Sequence, residues 1–254
     1  MLLSEFKSFC FQSLLSKYPK RELDQLFKVW IKDRLKLDDV AFFLAANTLI
    51  DSQTEAVLMD DLKRLENEEP IQYVLGYCSF YDLVLSCNPN VLIPRPETEE
   101  LVDLILQENP PSNLSVLDMG TGSGAIAISL KQARPDWQVM AGDISQEALE
   151  VAQENAKTNK TNVRFILTDI FRQVSGKYDI IVSNPPYIEA AQIENLADEV
   201  RLFEPRLALD GGIDGYDFYR RIAADCKKFL KPLGLVVVEV GDNQSPKVQE
   251  IFAE

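Results

Sequence analysis

Histidine is absent from all 254 residues. Its absence removes Ser–His and Cys–His nucleophilic pairs and the commonest zinc ligand. Cysteine is scarce as well: Cys10, Cys78, Cys87 and Cys226 lie far apart in sequence or without a CxxC spacing. No metal site and no disulfide framework is expected, and the four read as reduced thiols of a cytoplasmic protein. Glycine does not occur before Gly76, which suits a helical module at the start of the chain. No stretch approaches the roughly 18 apolar residues of a membrane span. Glu5, Lys7 and Ser8 interrupt the first apolar run, so no secretory leader is expected. Basic residues are the minority, 26 Lys and Arg against 40 Asp and Glu, for a net charge of −14. That balance lacks the electrostatic footprint of a strong duplex binder and leaves a protein substrate open.

What is present is enough apolar material for a core, 46 % of residues, and enough length for a large domain plus a small one. Residues 1–70 repeat apolar side chains at helical spacing: Leu2, Leu3, Phe6, Phe9, Cys10 and Leu14, then Leu23, Leu26, Phe27 and Trp30. Two more runs follow, Val40 to Leu49 and Thr54 to Leu65. Lys17, Lys20, Arg21, Lys28, Lys32, Arg34 and Lys36 gather in the first half of this module. They read either as a solvated helix face or as a docking surface for an acidic partner. Residues 71–93 change character. Tyr73–Leu75 and Phe80–Leu85 look like short strands with turn material at Cys87-Asn88-Pro89-Asn90, a β-hairpin connector. Pro96 is placed to open a helix running to Glu108.

From residue 114 strands and helices alternate. Strands are expected at Ser115–Met119, Gln138–Gly142, Val163–Thr168, Tyr178–Ser183 and Leu235–Val240. Helices are expected at Ala125–Ala133, Gln146–Thr158, near Ala191–Val200, and at Gly215–Leu230. The pattern predicts an α/β fold with a mostly parallel, doubly wound sheet over residues 94–254.

The first of these strands leads into Asp118-Met-Gly120-Thr121-Gly122-Ser123-Gly124. Alternate glycines let the backbone turn sharply and approach a ligand. The third interval is shorter than in GxGxxG, and Asp118 at the strand end would repel a pyrophosphate and favour a cation. Asp143 ends the next strand, 23 residues after Gly120, where a carboxylate can accept both hydroxyls of a ribose. Asp169 and Ile170, after the third strand, could meet the amine and face of an adenine, with Phe171 either beside them or in the core. Together Asp118–Gly124 and Asp143 resemble the Rossmann-like methyltransferases that use S-adenosylmethionine, over residues 94–254. The resemblance implies Gly120, Thr121, Gly122, Ser123, Gly124, Asp143, Asp169, Ile170 and Asn184 around that cofactor.

The fourth strand runs into Asn184-Pro185-Pro186-Tyr187. Two prolines fix φ and remove two N–H donors, so carbonyls and the Asn184 amide oxygen stand as acceptors for an NH₂ group. Tyr187 offers a flat ring to a planar conjugated group. Asn184, Pro185 and Tyr187 are the expected catalytic residues, with Pro186 completing the substrate corner. Such a corner serves enzymes that methylate exocyclic amines of bases and enzymes that methylate glutamine.

Three further segments, Pro70–Gly76, Ile93–Val102 and Glu204–Gly215, resemble the release factor glutamine N5-methyltransferase family (PrmC, or HemK). The likeness spans nearly the whole chain from residue 68. It implies methyl transfer from S-adenosylmethionine, leaving S-adenosylhomocysteine, to the glutamine of the Gly-Gly-Gln loop of peptide chain release factors. It also implies no direct nucleic-acid substrate, no membrane, and a monomer whose residues 1–70 dock the substrate. Arg95, Glu97 and Glu99 would organise the entrance or cap a helix start. The alternatives are a ribosomal-protein glutamine, a base amine, or a non-catalytic adaptor. The sequence departs from the family at Ile170, where tryptophan is frequent. It also stops after Ser245–Glu254, where the family adds two strands. A truncated chain with Leu235–Val240 as an exposed apolar edge is therefore expected.

Overall fold

In a computed structural model that describes residues 1–109 and 113–253, helices run over Leu3–Leu14, Lys20–Arg34, Asp39–Leu44 and Ser52–Glu66. The third run stops as an α-helix at Leu44 and finishes in a 3-10 turn, Ala45–Asn47. Asp38 and Asp51 cap the last two helices by accepting backbone N–H groups of their first turns. Phe6, Phe27 and Trp30 meet edge-on or tilted in the core of this bundle, with Leu23, Leu58, Leu62 and Leu65 around them. Asp61 is buried there, and Trp30 Nε1 at 2.7 Å and Arg34 Nε at 2.7 Å both donate to it. Arg34 and Arg64 also donate to the Val74 carbonyl, at 2.8 and 3.1 Å.

Tyr73–Leu75 is not a strand. Ile71–Leu75 forms one turn of helix that starts after Pro70 and ends at Gly76, whose φ of +85° is the left-handed cap. A three-residue apolar run carries no period, so sequence alone does not separate the two outcomes. Val74 joins the bundle core, with Ile71 and Leu75 packed on it. The chain divides into Met1–Gly76 with Asp198–Phe203, and Tyr77–Ala197 with Glu204–Glu254.

In the second unit β1 (Tyr77–Phe80) and β2 (Leu83–Ser86) pair antiparallel. Their two-residue turn, Tyr81-Asp82, has φ of +47° and +61° at its centre, as a tight hairpin requires. Five further strands are β3 (Ser115–Met119), β4 (Gln138–Asp143), β5 (Arg164–Leu167), β6 (Tyr178–Ser183) and β7 (Leu230–Val238). All four pairings are parallel, in the order β5-β4-β3-β6-β7. The helices Pro96–Glu108, Ala125–Ala133 and Gln146–Thr158 lie where the sequence places them. The chain winds outward from β3 to β5 and then returns beside β3 with β6 and β7.

Two elements differ from expectation. The segment near Ala191–Val200 is a 3-10 turn, Ile193–Asn195, followed by a helix, Asp198–Phe203. β7 starts five residues early, at Leu230, with an irregular register between Tyr178 and Ile180 and a fully exposed Leu233 at φ +65°. Among the described residues β7 pairs only with β6, and none of its nine residues is buried. The helix Ser245–Ala253 follows, and Glu254 lies outside the described residues.

Candidate functional site

The sheet reverses its winding at β3, with β4 on one side and β6 on the other. A crevice opens beyond the carboxyl ends of strands at such a point. Here a cavity of about 400 Å³ is bounded by Gly120 after β3, Asp143 at the end of β4, Asp169 and Ile170 after β5, and Asn184 after β6. That volume lies in the range of small-molecule sites.

Gly120 and Thr121 donate their N–H groups to the Gly142 carbonyl, at 2.9 and 3.1 Å, which folds the loop against β4. Gly120 and Gly122 have φ of +69° and +53°, and a Cβ on either would meet nothing within 4 Å. Both line the cavity, so a ligand can come against bare backbone. Gly124 does other work: a Cβ there would sit 2.8 Å from Ile128 Cδ1 and 3.2 Å from Ala152 Cβ, so this glycine lets two helices approach. Thr121 and Ser123 are buried and are not on the cavity wall. Thr121 Oγ1 donates to Asp118 Oδ2 at 2.6 Å, and the Ser123 carbonyl accepts from Asn155 Nδ2 at 2.9 Å. Asn155 also bonds the Ser86 backbone, N–H to Oδ1 at 2.6 Å, and so ties the hairpin to the glycine loop.

Asp118 is fully buried, and burial pushes its carboxyl up to about 7 against the opposing Thr121 hydroxyl. It does not face the cavity, so the strand-end charge argument gives way to a role in holding the loop. Asp143 does face it. Its oxygens accept Gly122 N–H at 2.8 Å and Ser145 N–H at 2.9 Å, with the Ile144 N–H also directed at the carboxylate. Burial raises this carboxyl too, with the N–H groups of Ser145 and Gly122 opposing. Ser145, not Asp143, caps the helix that follows.

Asp169 lines the cavity with its carboxylate paired to Arg221 at 2.5 Å. Ile170 lines it at φ +52°, a conformation rare for a β-branched residue. Thr168 Oγ1 holds that turn by donating to the Ile170 carbonyl at 2.9 Å and accepting Gln173 N–H at 3.1 Å. Phe171 turns away, stacked on Phe229 at 4.6 Å in the core.

Asn184, Pro185 and Pro186 line the same cavity. Asn184 Nδ2 donates to Thr98 Oγ1 at 3.1 Å, and Thr98 Oγ1 donates to Glu239 Oε2 at 2.7 Å. Tyr187 is not on the cavity wall. Its carbonyl accepts from Gln244 Nε2 at 3.0 Å, and Gly211 passes so close that a Cβ would lie 2.8 Å from the Tyr187 backbone. Burial raises the Tyr187 phenol, and Glu239 adds to the effect. Arg95 reaches Glu204 at 2.5 Å, Glu204 Oε2 takes the Ile93 N–H, and Glu99 accepts the Tyr81 N–H.

Sequence reasoning missed part of the wall: Pro89–Leu92, Pro205, Leu207, Ala208, Phe218 and Arg221. The Asn-Pro-Asn turn was the signal for the first of these, and Pro205, Leu207 and Ala208 lie in the Glu204–Gly215 segment that carries the family resemblance, whereas Phe218 and Arg221 come from a helix that carries no motif for it. Among the described residues no cluster of acidic and cysteine side chains could hold a metal ion.

The family description "methyltransferase small domain" matches residues 98–205. A release factor glutamine methyltransferase of Streptococcus pneumoniae (strain ATCC BAA-255 / R6) is 47 % identical over 212 residues, covering 83 % of this chain and 76 % of its own. One from Lactococcus lactis subsp. lactis (strain IL1403) is 44 % identical, covering 89 % of this chain and 83 % of its own. The chain belongs to the release factor glutamine methyltransferase family. A crystal structure of a methyltransferase from Pyrococcus furiosus shares the fold with a TM-score of 0.52 at 19 % identity, over 80 % of this chain and 87 % of that one.

Proposed function

We propose that this chain transfers a methyl group from S-adenosylmethionine to the side-chain amide nitrogen (N5) of the glutamine in the Gly-Gly-Gln motif of peptide chain release factors. The observation that carries the reading is Asn184 at the end of the cavity with its amide nitrogen committed to Thr98, which leaves Oδ1 as an acceptor.

The residues fit the cofactor. Gly120 and Gly122 form a cradle that any side chain would fill, and Asp143 faces the cavity with a carboxylate that can accept ribose hydroxyls. Ile170 and Phe218 offer apolar faces to the adenine, with Asp169 near its amine. The bound cofactor supplies a methyl already activated on a sulfonium. What the chain adds is aim. Asn184 Oδ1 and the Pro185 carbonyl accept the two N–H groups of the glutamine, turn its nitrogen toward the cavity and disperse charge as it develops. Tyr187, outside the cavity wall, packs its ring edge beside Gly241 and directs its hydroxyl to Glu239, which stiffens the corner. Positioning of this kind contributes roughly 7–11 kcal/mol. A carboxamide nitrogen becomes acidic once methylated and sheds its proton afterwards, so a chain without histidine suffices.

Residues 1–70 dock the release factor in this reading, and the enzyme works as a monomer in the cytoplasm. No helix among the described residues is long and apolar enough to cross a membrane. The test is mass spectrometry of a release factor incubated with enzyme and labelled cofactor. One added methyl on the peptide bearing the Gly-Gly-Gln glutamine is expected. Label on nucleic acid or a ribosomal protein, with the release factor unmodified, overturns the reading.

A further inference from the structure

We propose that Glu239 and Thr98 form a one-way hydrogen-bond relay that fixes which end of the Asn184 carboxamide faces the substrate, making Glu239 a positioning residue. The inference rests on the reading that Asn184 accepts a glutamine N–H. A carboxamide has nearly the same shape after its oxygen and nitrogen exchange places, so packing alone cannot choose between the two orientations. Hydrogen-bond polarity can.

The relay begins at a carboxylate, which has no proton to give. Thr98 Oγ1 directs its single hydrogen to Glu239 Oε2 at 2.7 Å. Toward Asn184 it then has only lone pairs, and these accept Nδ2–H at 3.1 Å. Exchanging the ends of the amide would set Oδ1 against the Thr98 lone pairs with no hydrogen between them. The oxygen is thereby left for the substrate.

Every member is held by backbone. Thr98 is buried in the first turn of the helix that opens at Pro96. Glu239 donates its N–H to the carbonyl of Ser183, the residue before Asn184, at 3.0 Å, and its carbonyl accepts from the Tyr219 hydroxyl at 2.8 Å. The same carboxyl faces Tyr187 and Asn184, so one side chain touches both polar residues of the corner. Glu97, on the helix that carries Thr98, is the like charge facing it, while the phenols of Tyr187 and Tyr219 face it from the corner and the helix Asp217–Phe229. Burial holds the Glu239 carboxyl above the usual range. Once protonated it can donate to Thr98, reverse the relay and turn the amide round.

The test uses full-length Glu239→Gln, Thr98→Val and Thr98→Ser, with release factor as substrate. Glu239→Gln and Thr98→Val are expected to lower kcat about 100-fold while cofactor Kd stays within about twofold. Thr98→Ser, which keeps the hydroxyl, restores most of the loss. The acid limb of kcat against pH in the wild type disappears in Glu239→Gln. A Glu239→Gln enzyme with wild-type kcat and an unchanged acid limb overturns the relay, and so does Thr98→Ser falling as far as Thr98→Val. If Glu239→Gln fails to fold, the Thr98 pair decides alone. Wild-type enzyme that does not methylate release factor sinks the parent reading and this one with it, whereas an active wild type with unaffected variants sinks only the relay.

Discussion

A carboxylate oxygen has two lone pairs, and at Asp143 each oxygen gives one to a backbone N–H of the protein. The same carboxylate faces the cavity, where it can accept from vicinal hydroxyls. Asp143→Ala is expected to weaken S-adenosylmethionine binding by about 1–3 kcal/mol, read by calorimetry, and unchanged affinity would take Asp143 out of the site. Asn184→Ala is expected to abolish methyl transfer while cooperative unfolding persists; turnover near wild type would end the role given to it. Asp118 makes a prediction about stability. Its carboxyl, at about 7 against an ordinary 3.8, keeps a proton in the native state that the unfolded chain has lost. That contribution is full at acid pH below 3.8 and is lost as pH rises through about 7. Asp118→Asn removes the slope, so its stability relative to wild type should grow between pH 5 and pH 8, by on the order of a few kcal/mol in urea unfolding. A flat difference would mean that Asp118 is ionised throughout. Asp143 and Asn184 were legible in the sequence because residue type and strand-end position coincide. Thr98 and Glu239 were not, because 98, 184 and 239 meet only when β6 and β7 pair and the helix from Pro96 packs beside them. The left-handed backbone of Ile170 leaves no trace in a sequence that shows only a β-branched residue.

At the scale of elements, the helices were legible wherever a strong period or a proline start existed, as at Pro96–Glu108 and Gln146–Thr158. The misreadings fall where the run is too short for a period or the chain is bulged. Lys231-Pro-Leu-Gly234 falls between the expected helix and strand, yet β7 carries it as an irregular stretch with Leu233 in the left-handed region. The basic residues of the first helices also changed meaning. Lys17, Lys28, Lys32 and Lys36 pair with Glu68, Asp39 and Asp33, and Arg34 with Asp61, so most of that charge is balanced within the helical unit. Asp61 ties the helix Ser52–Glu66 to the helix Lys20–Arg34 through Trp30 and Arg34. Asp61→Ala would leave the Arg34 guanidinium and the Trp30 N–H without their acceptor, and is expected to cost about 3–5 kcal/mol in denaturant unfolding. A loss below about 1 kcal/mol would show that water replaces the carboxylate there.

For the whole molecule, the fold class followed from alternation of strands and helices, while the full cavity wall did not, because part of it comes from segments remote from the strand ends in sequence. Binding to that cavity is linked to folding. Cofactor at about 100 times its Kd should stabilise the chain by about 2.7 kcal/mol, seen as a rise in melting temperature that a dinucleotide at the same concentration does not give. No rise would place the cofactor elsewhere. The Asn-Pro-Pro-Tyr corner is braced from four directions: by Thr98, by the close pass of Gly211, by Glu239, and by Gln244 on the Tyr187 carbonyl. Grafting the four residues onto another parallel sheet would therefore carry over the letters without the aim. A transplant that works would have to bring its scaffolding from three other parts of the chain, and the tetrapeptide alone is a poor guide to which distant proteins share the chemistry.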